Sequence, residues 1–210
     1  MLLIRKGAEA DLYQDVWHGL NTIHKVRRAK AYRIPQLDLQ IRSSRTSHEA
    51  QIIHNAKRVG VPTPFMYLID LETTTITMQY VEGPRMREAL GSLSSDQKEK
   101  LGHHVGELLG RLHVGGIVHG DVTTSNIIIS GEKVFLIDFG LAEYSHELEK
   151  RGIDLLLIKR SLQAMHYVCA KECFDAMVRG YTSTVGENVC REVLKRVEEI
   201  AKRGRYAVKR

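Results

Sequence analysis

Along the first 90 residues, apolar positions fall in short runs, several of them alternating with polar ones at the period of two that a half-buried strand needs. These runs predict strands over residues 2–6, 11–16, 22–27, 65–70 and 75–81, the last two rich in β-branched and aromatic side chains. Between them Ala50, Ile53 and Ala56 share one helical face, which predicts a helix over 47–59 that Gly60 stops. Pro62 and Pro64 impose an extended connection after it. At Gly83-Pro84 the period changes, so residues 1–83 form one expected lobe and 84–210 a second. Ser94-Ser95-Asp96-Gln97 reads as a capping box. Leu101, Val105, Leu108, Leu109 and Leu112 then recur at i, i+4, i+7, i+8 and i+11, a buried helical stripe ended by Gly115-Gly116. A short hairpin follows, 127–129 and 134–137 around Gly131, and two more helices are expected over about 152–169 and 187–203. The fold class is α+β: a small β-rich lobe with one helix, then a helical lobe.

The residues that bracket the hairpin carry the chemistry. His119-Gly120-Asp121-Val122-Thr123-Thr124-Ser125-Asn126 precedes it and Asp138-Phe139-Gly140 follows it. Phosphoryl transfer from ATP needs a carboxylate to orient the attacking hydroxyl, an oxygen ligand for Mg²⁺, and a second carboxylate bridging that metal to the phosphates. Asp121, Asn126 and Asp138 stand at the protein-kinase spacing for those roles: Asp121 as the catalytic residue, Asn126 and Asp138 as ligands of Mg²⁺, with Mn²⁺ as an alternative. Either motif alone would pass for a surface turn. Both, in this order and separation, point to a protein-kinase-like bilobal fold.

The other kinase parts can be placed around them. Lys25 lies on a predicted strand and Glu49 at the start of the next helix, the arrangement of a phosphate-binding lysine and its helix glutamate. Lys30 competes for the lysine role, but residues 32–35 break the strand pattern around it. Gly7-Ala8-Glu9-Ala10 occupies the phosphate-loop position with a single glycine, and Ile4 on the preceding strand joins the same ATP-binding set. The strand over 75–81 leads to an adenine-binding hinge, with Met78 at its back and Gln79 and Val81 at the adenine edge; a plain edge strand would look the same. Gly120 stands in place of the arginine that gathers a phosphorylated activation loop, and Thr123 in place of the catalytic-loop lysine. No Ala-Pro-Glu follows Gly140, so the helical lobe is reduced and lacks the activation-segment extension. Asp154 is expected to be a buried support for the catalytic loop, the alternative being a helix N-cap. His166, Cys169 and Cys173 share a helix face without the tight knuckle of a zinc site, and the cysteines read as buried hydrophobes.

Composition narrows the class. The chain of 210 residues is 43% hydrophobic and 27% charged, as an ordinary globular protein is. Its apolar runs fall short of a membrane span, and three cysteines suit a reducing cytoplasm better than a disulfide framework. The net charge of +6 is concentrated: residues 24–45 hold seven Lys/Arg against Asp38, and residues 191–210 hold eight against three Glu. Two basic patches on an otherwise acidic body suit a phosphate polymer, although such runs also serve as solvated surface. The tail, with Arg203, Arg205, Lys209 and Arg210, is expected to reach the cleft or a bound RNA.

Beyond kinase motifs, the chain resembles the small atypical kinase family that forms the kinase/ATPase subunit of the KEOPS complex. The carriers are Gly7-Ala8-Glu9-Ala10, Lys30-Ala31-Tyr32-Arg33 with Pro35-Gln36-Leu37-Asp38, Arg45-Thr46 with Glu49-Ala50, Gly60-Val61-Pro62-Thr63-Pro64, the Thr-Thr-Ser-Asn ending of the catalytic loop, Asp-Phe-Gly-Leu, and Arg203-Gly204-Arg205. The resemblance implies ATP and Mg²⁺ binding in a cytoplasmic KEOPS subunit. It implies a partner subunit that forms threonylcarbamoyladenosine in tRNA reading A-starting codons, docked on the helical lobe, where apolar residues 155–158 lie just past the site. tRNA would meet the basic patches. The competing function is a Ser/Thr protein kinase with a separate protein substrate.

Overall fold

The computed structural model describes residues 1–207, with side chains described through Arg203. Strands β1 (Leu2–Lys6), β2 (Asp11–Trp17), β3 (Leu20–Val26), β4 (Met66–Asp70) and β5 (Thr75–Gln79) form one antiparallel sheet in the order β1-β2-β3-β5-β4. His18 and Gly19, both at positive φ, close the β2–β3 hairpin in two residues, the geometry that matches strand twist. That turn fixes the register of β2 on β3, and on the other side of β3 Lys25 pairs with Ile76 and Ile23 with Met78 of β5. Because side chains alternate, these four share a face, and Ile76 and Met78 pack there with Ala50. His24, one step out of phase, bonds Thr77 Oγ1 at 3.0 Å and Thr22 Oγ1 at 3.3 Å on the opposite face.

Helix α1 (Pro35–Arg58) starts well before the predicted residue 47. Its first half has no apolar stripe, so periodicity could not reveal it. Pro35 in the first turn and a buried carboxylate hold it instead. Asp38 accepts from Arg42 Nε at 2.7 Å, the Lys30 amide at 3.3 Å and Arg33 Nη1 at 3.4 Å, and these donors hold its pKa below the usual carboxylate value.

Past Gly83 come α2 (Met86–Ala89), α3 (Ser95–Val114), β6 (Ile117–Val118), β7 (Ile127–Ser130), β8 (Lys133–Leu136), β9 (Glu143–Tyr144), α4 (Leu148–Met165), α5 (Ala170–Val185) and α6 (Glu187–Ala207). β7 pairs with β8, and β6 with β9. The α3 capping box closes as read, the Ser94 amide donating to Gln97 Oε1 at 2.9 Å and Ser94 Oγ accepting the Gln97 amide at 3.3 Å. The expected pair of later helices is a trio. The third, α5, holds Gly180 and a β-branched end, which weaken a helix signal, yet Ala170, Cys173, Phe174, Met177 and Tyr181 are buried at helical spacing. The expectation that apolar residues 155–158 are open to a partner is corrected: Leu155, Leu156 and Ile158 are buried in the core.

Glycines decide how α3 and α5 cross. Gly102, Gly106 and Gly110 lie on the α3 face toward α5, and Gly180 faces back. A Cβ on Gly106 would overlap the Met177 carbonyl oxygen and lie 2.8 Å from the Tyr181 amide nitrogen, so only backbone fits. The helices can approach at this distance and present His113 and Tyr181 to the site below.

Gly→Ala inside a helix ordinarily stabilises by about 1 kcal/mol. Gly106→Ala is expected to do the opposite, lowering stability by roughly 2 kcal/mol through overpacking against α5. Denaturant midpoints of the two proteins test this, and a rise in stability would contradict the close crossing.

Candidate active site

The small lobe's half of the site is built on one carboxylate. Lys25 Nζ donates to Glu49 Oε1 at 2.6 Å, and Arg27 Nη2 donates to Glu49 Oε2 at 2.5 Å. Lys25 also donates to Asp138 Oδ1 at 2.7 Å, bridging the lobes. Burial works against the ammonium charge, but Glu49 and Asp138 more than offset it, so the Lys25 pKa is raised. Burial likewise penalises Asp138, and Lys25 reverses this, so its pKa is depressed. Both are charged at neutral pH.

The loop Gly7–Ala10 is braced by side chains where other kinases use more glycine. Its Gly7 amide donates to Asp11 Oδ1 at 3.3 Å. Lys30 Nζ donates to the Ala8 carbonyl at 2.7 Å, and Arg45 Nη1 to the Glu9 carboxylate at 2.6 Å. The two lysines thus divide the labour: Lys25 enters the cleft and Lys30 holds the loop. Two adjoining cavities lie between the lobes and share Lys25 and Asp138. One of about 310 Å³ is lined by Ile4, Met78, Gln79 and Val81 with Glu49 and Asn126. The other, about 260 Å³, is lined by Gly7, Ala8, Glu9 and Ala10 with Arg27 and Asp121.

In the helical lobe, β6 delivers the chain to His119. The carboxylate of Asp154 is fully buried and takes three donors: the His119 amide at 2.7 Å, the Gly120 amide at 2.8 Å and His113 Nε2 at 3.1 Å. His113 Nδ1 then accepts the Tyr181 hydroxyl at 2.8 Å. Burial pushes the Tyr181 pKa up, so its proton stays in this chain. The His119 ring lies against Phe139, donates from Nε2 to the Ile137 carbonyl at 3.2 Å and accepts the Asp121 amide at Nδ1 at 3.3 Å. Burial lowers its pKa in spite of three nearby aspartates, so it is a neutral brace. Gly120 has φ +77°, and a Cβ there would sit 2.5 Å from the Leu141 carbonyl oxygen. In this conformation of the loop an arginine side chain does not fit.

Asn126 Nδ2 donates to the Asp121 carbonyl at 3.0 Å and to Asp121 Oδ2 at 2.9 Å, which leaves Asn126 Oδ1 as an acceptor. Asp138 sits at φ +65° with its side chain 40% exposed toward the cleft. Two oxygen donors, one of them anionic, suit a hard cation completed by phosphate oxygens. Among the described residues no three His, Cys, Asp or Glu side chains gather as a metal site of their own. The loop's far end is tied to α4, where Ser161 Oγ accepts the Thr124 amide at 3.0 Å.

Sequence reasoning missed Arg27, His113 and Tyr181. His113 falls on the buried stripe of α3 beside Leu109 and Leu112, and that was its only signal. The basic run over 24–45 proves largely paired within its own lobe: Arg27 with Glu49, Arg28 with Asp11, Arg33 and Arg42 with Asp38, Arg45 with Glu9. In the tail, Arg203 pairs with Glu149 at 2.7 Å; Lys209, Arg210 and the side chain of Arg205 lie outside the described residues.

The protein kinase domain family matches residues 12–195. The KEOPS complex subunit Bud32 of Pyrococcus abyssi is 41% identical over 212 residues, covering 98% of this chain and 96% of that protein. A "Probable bifunctional tRNA threonylcarbamoyladenosine biosynthesis protein" of Methanothermobacter thermautotrophicus is 43% identical over 204 residues, which is 97% of this chain but 36% of the longer protein. In three dimensions, the crystallised Rio2 kinase–ADP/Mg²⁺–phosphoaspartate complex of Chaetomium thermophilum aligns with a TM-score of 0.65 over 97% of this chain and 70% of that one; at 17% identity the likeness concerns fold.

Asp154→Asn should expose the anchor. The amide group would turn a donor toward groups that are themselves donors, a clash costing about 1–3 kcal/mol. The expected result is a lower melting temperature together with a loss of ATP turnover of roughly tenfold, since Asp121 hangs from the same loop. Unchanged turnover would show that the loop does not need this carboxylate.

Proposed function

The chain belongs to the protein kinase family and, within it, to the Bud32 subunits of KEOPS, and on that premise we propose that it is an Mg-ATP-dependent atypical Ser/Thr kinase and ATPase that supports threonylcarbamoyladenosine formation in tRNA. One observation carries the reading: Lys25 joins Glu49 to Asp138 across the cleft, while Asp121 and Asn126 are bonded to each other beside it. Neither half alone could hold a triphosphate and an acceptor together.

In this reading the adenine enters the cavity backed by Met78, with the backbone of Gln79 and Val81 at its edge, and the phosphates run toward Gly7–Ala10 and Lys25. Asn126 and Asp138 would hold Mg²⁺, which supplies neutralisation of phosphate charge when bound. Asp121, fixed by Asn126, orients the acceptor and takes its proton as the new oxygen–phosphorus bond forms and the bond to the ADP oxygen breaks. Lys25 stabilises the charge that moves onto the phosphates.

Water is the favoured acceptor over a separate protein. After Asp138 the chain is already paired as β9 at Glu143 and helical at Leu148, so the segment that would dock a peptide is short and pinned. The KEOPS partner is assigned to the helical lobe. Leu141, Tyr144 and Ile153 there are 60%, 48% and 38% exposed, next to the catalytic loop rather than at the buried 155–158. The tRNA contact falls to the basic α6 end of the chain, where residues 191–210 hold eight Lys/Arg against three Glu. The three cysteines Cys169, Cys173 and Cys190 are free, which suits a reducing cytoplasm.

Asp138→Asn removes the anion while keeping the shape. Phosphate release from labelled ATP, with the partner subunit and tRNA present, is expected to fall about 100-fold or more while the protein stays folded. Turnover retained in a folded variant would defeat the phosphoryl-transfer reading.

A further inference from the structure

In the lysine–glutamate pair of a kinase, the two charges cancel. Here Glu49 has a second cation, with Lys25 on one oxygen at 2.6 Å and Arg27 on the other at 2.5 Å. All three residues are buried. Arg27 is held at both ends. Its Nη1 reaches Thr46 Oγ1 at 3.4 Å, and its carbonyl accepts from Thr74 Oγ1 at 2.8 Å and Arg42 Nη1 at 3.1 Å. Its amide donates to the Thr74 carbonyl at 3.1 Å. Thr46 and Arg42 belong to α1, so Arg27 fastens the end of β3 to that helix through side chain and backbone together. Its guanidinium also borders the cavity shared by Gly140, Asp121 and the Gly7–Ala10 loop.

Two consequences follow. α1 cannot carry Glu49 away from Lys25 without also stripping a buried arginine of its partner, which is costly at low dielectric. And because Arg27 offsets Glu49, the charge of Lys25 at the phosphate end of the cleft is opposed by Asp138 alone instead of by two carboxylates. That charge is needed there. Thr123 stands where a catalytic-loop lysine would, and the phosphate loop has only Gly7 to offer close backbone amides.

We propose that Arg27 is a positioning residue for phosphoryl transfer: it shares Glu49 with Lys25, so that Lys25 stays in place and its charge stays available to the phosphates of ATP. The proposal rests on the ATP-dependent reading above. Arg27 acts through Glu49, not by touching nucleotide.

The test uses the full chain as wild type, Arg27→Gln, Arg27→Lys, Glu49→Gln and the double variant Arg27→Gln/Glu49→Gln. Calorimetry gives the affinities for Mg-ATP and for adenosine, which has no phosphate, and labelled phosphate release gives kcat and KM. Arg27→Gln is expected to weaken Mg-ATP binding and kcat/KM by about tenfold and leave adenosine within about twofold, with Arg27→Lys restoring most of the loss. Because Arg27 acts through Glu49, the two losses should not add: the double variant's ratio of Mg-ATP to adenosine affinity should lie within about threefold of Glu49→Gln alone. This arm also holds if Arg27→Gln alone fails to fold, because the double variant leaves no buried carboxylate unpaired. A wild-type ratio in Arg27→Gln would overturn the proposal. So would a double variant with a ratio about tenfold or more below that of Glu49→Gln, the result expected if Arg27 bound phosphate directly. A wild-type protein that holds Mg-ATP no better than adenosine would overturn the ATP reading itself, and this proposal with it.

Discussion

The carboxylate of Glu49 is the constraint on which the rest is arranged. It is buried at 2% exposure, and a buried anion without partners would be prohibitive. Its two oxygens are satisfied by two cations two residues apart, Lys25 on β3 and Arg27 just past its end. That requirement sets the face β3 must present, the height at which α1 must cross the sheet, and the direction in which Lys25 points. Lys25 then reaches Asp138 and draws the loop that carries it in the helical lobe against the sheet. Two lesser fasteners reinforce the same docking. His48 meets the Ala142 carbonyl at 3.2 Å, and Asn55 donates to the Tyr144 hydroxyl at 2.6 Å.

The helical lobe solves the matching problem with a second buried carboxylate. Asp154 gathers two backbone amides and His113, and so fixes the turn that carries Asp121. Each of its partners depends on packing farther away. His113 is placed by α3 and steadied by Tyr181 from α5, and those helices meet closely only because glycines line the crossing. A bare glycine interface distant from the cleft is thereby connected, contact by contact, to the position of Asp121. The small lobe uses charge against charge, whereas the helical lobe uses charge against fixed dipoles.

Much of this was legible in the sequence where the cause is local. The α3 capping box depends on Ser94 and Gln97 alone, and the stripe from Leu101 to Leu112 is its own signal. Lys25 could be told from Lys30 because a strand pattern surrounds one and a turn the other. What escaped was set by tertiary context. The first half of α1 has no apolar period because Asp38 and its arginines do the work. α5 was hidden by Gly180 and a β-branched end, features that matter only once α3 lies against it. Arg27 looked like one more positive charge in a basic run; nothing short of the folded sheet places it on Glu49. The same blindness made that run look like a free surface patch.

The central claim is that one triphosphate spans both cavities, held between Lys25 and Asp138. A crystal structure of the protein with Mg²⁺ and a non-hydrolysable ATP analogue tests it most directly. The account predicts adenine against Met78, phosphates between the Gly7–Ala10 loop and Lys25, a metal on Asn126 and Asp138, and Glu49 still paired with both Lys25 and Arg27. An analogue bound elsewhere, or one seated in the cleft with Glu49 swung away from Lys25, would contradict it.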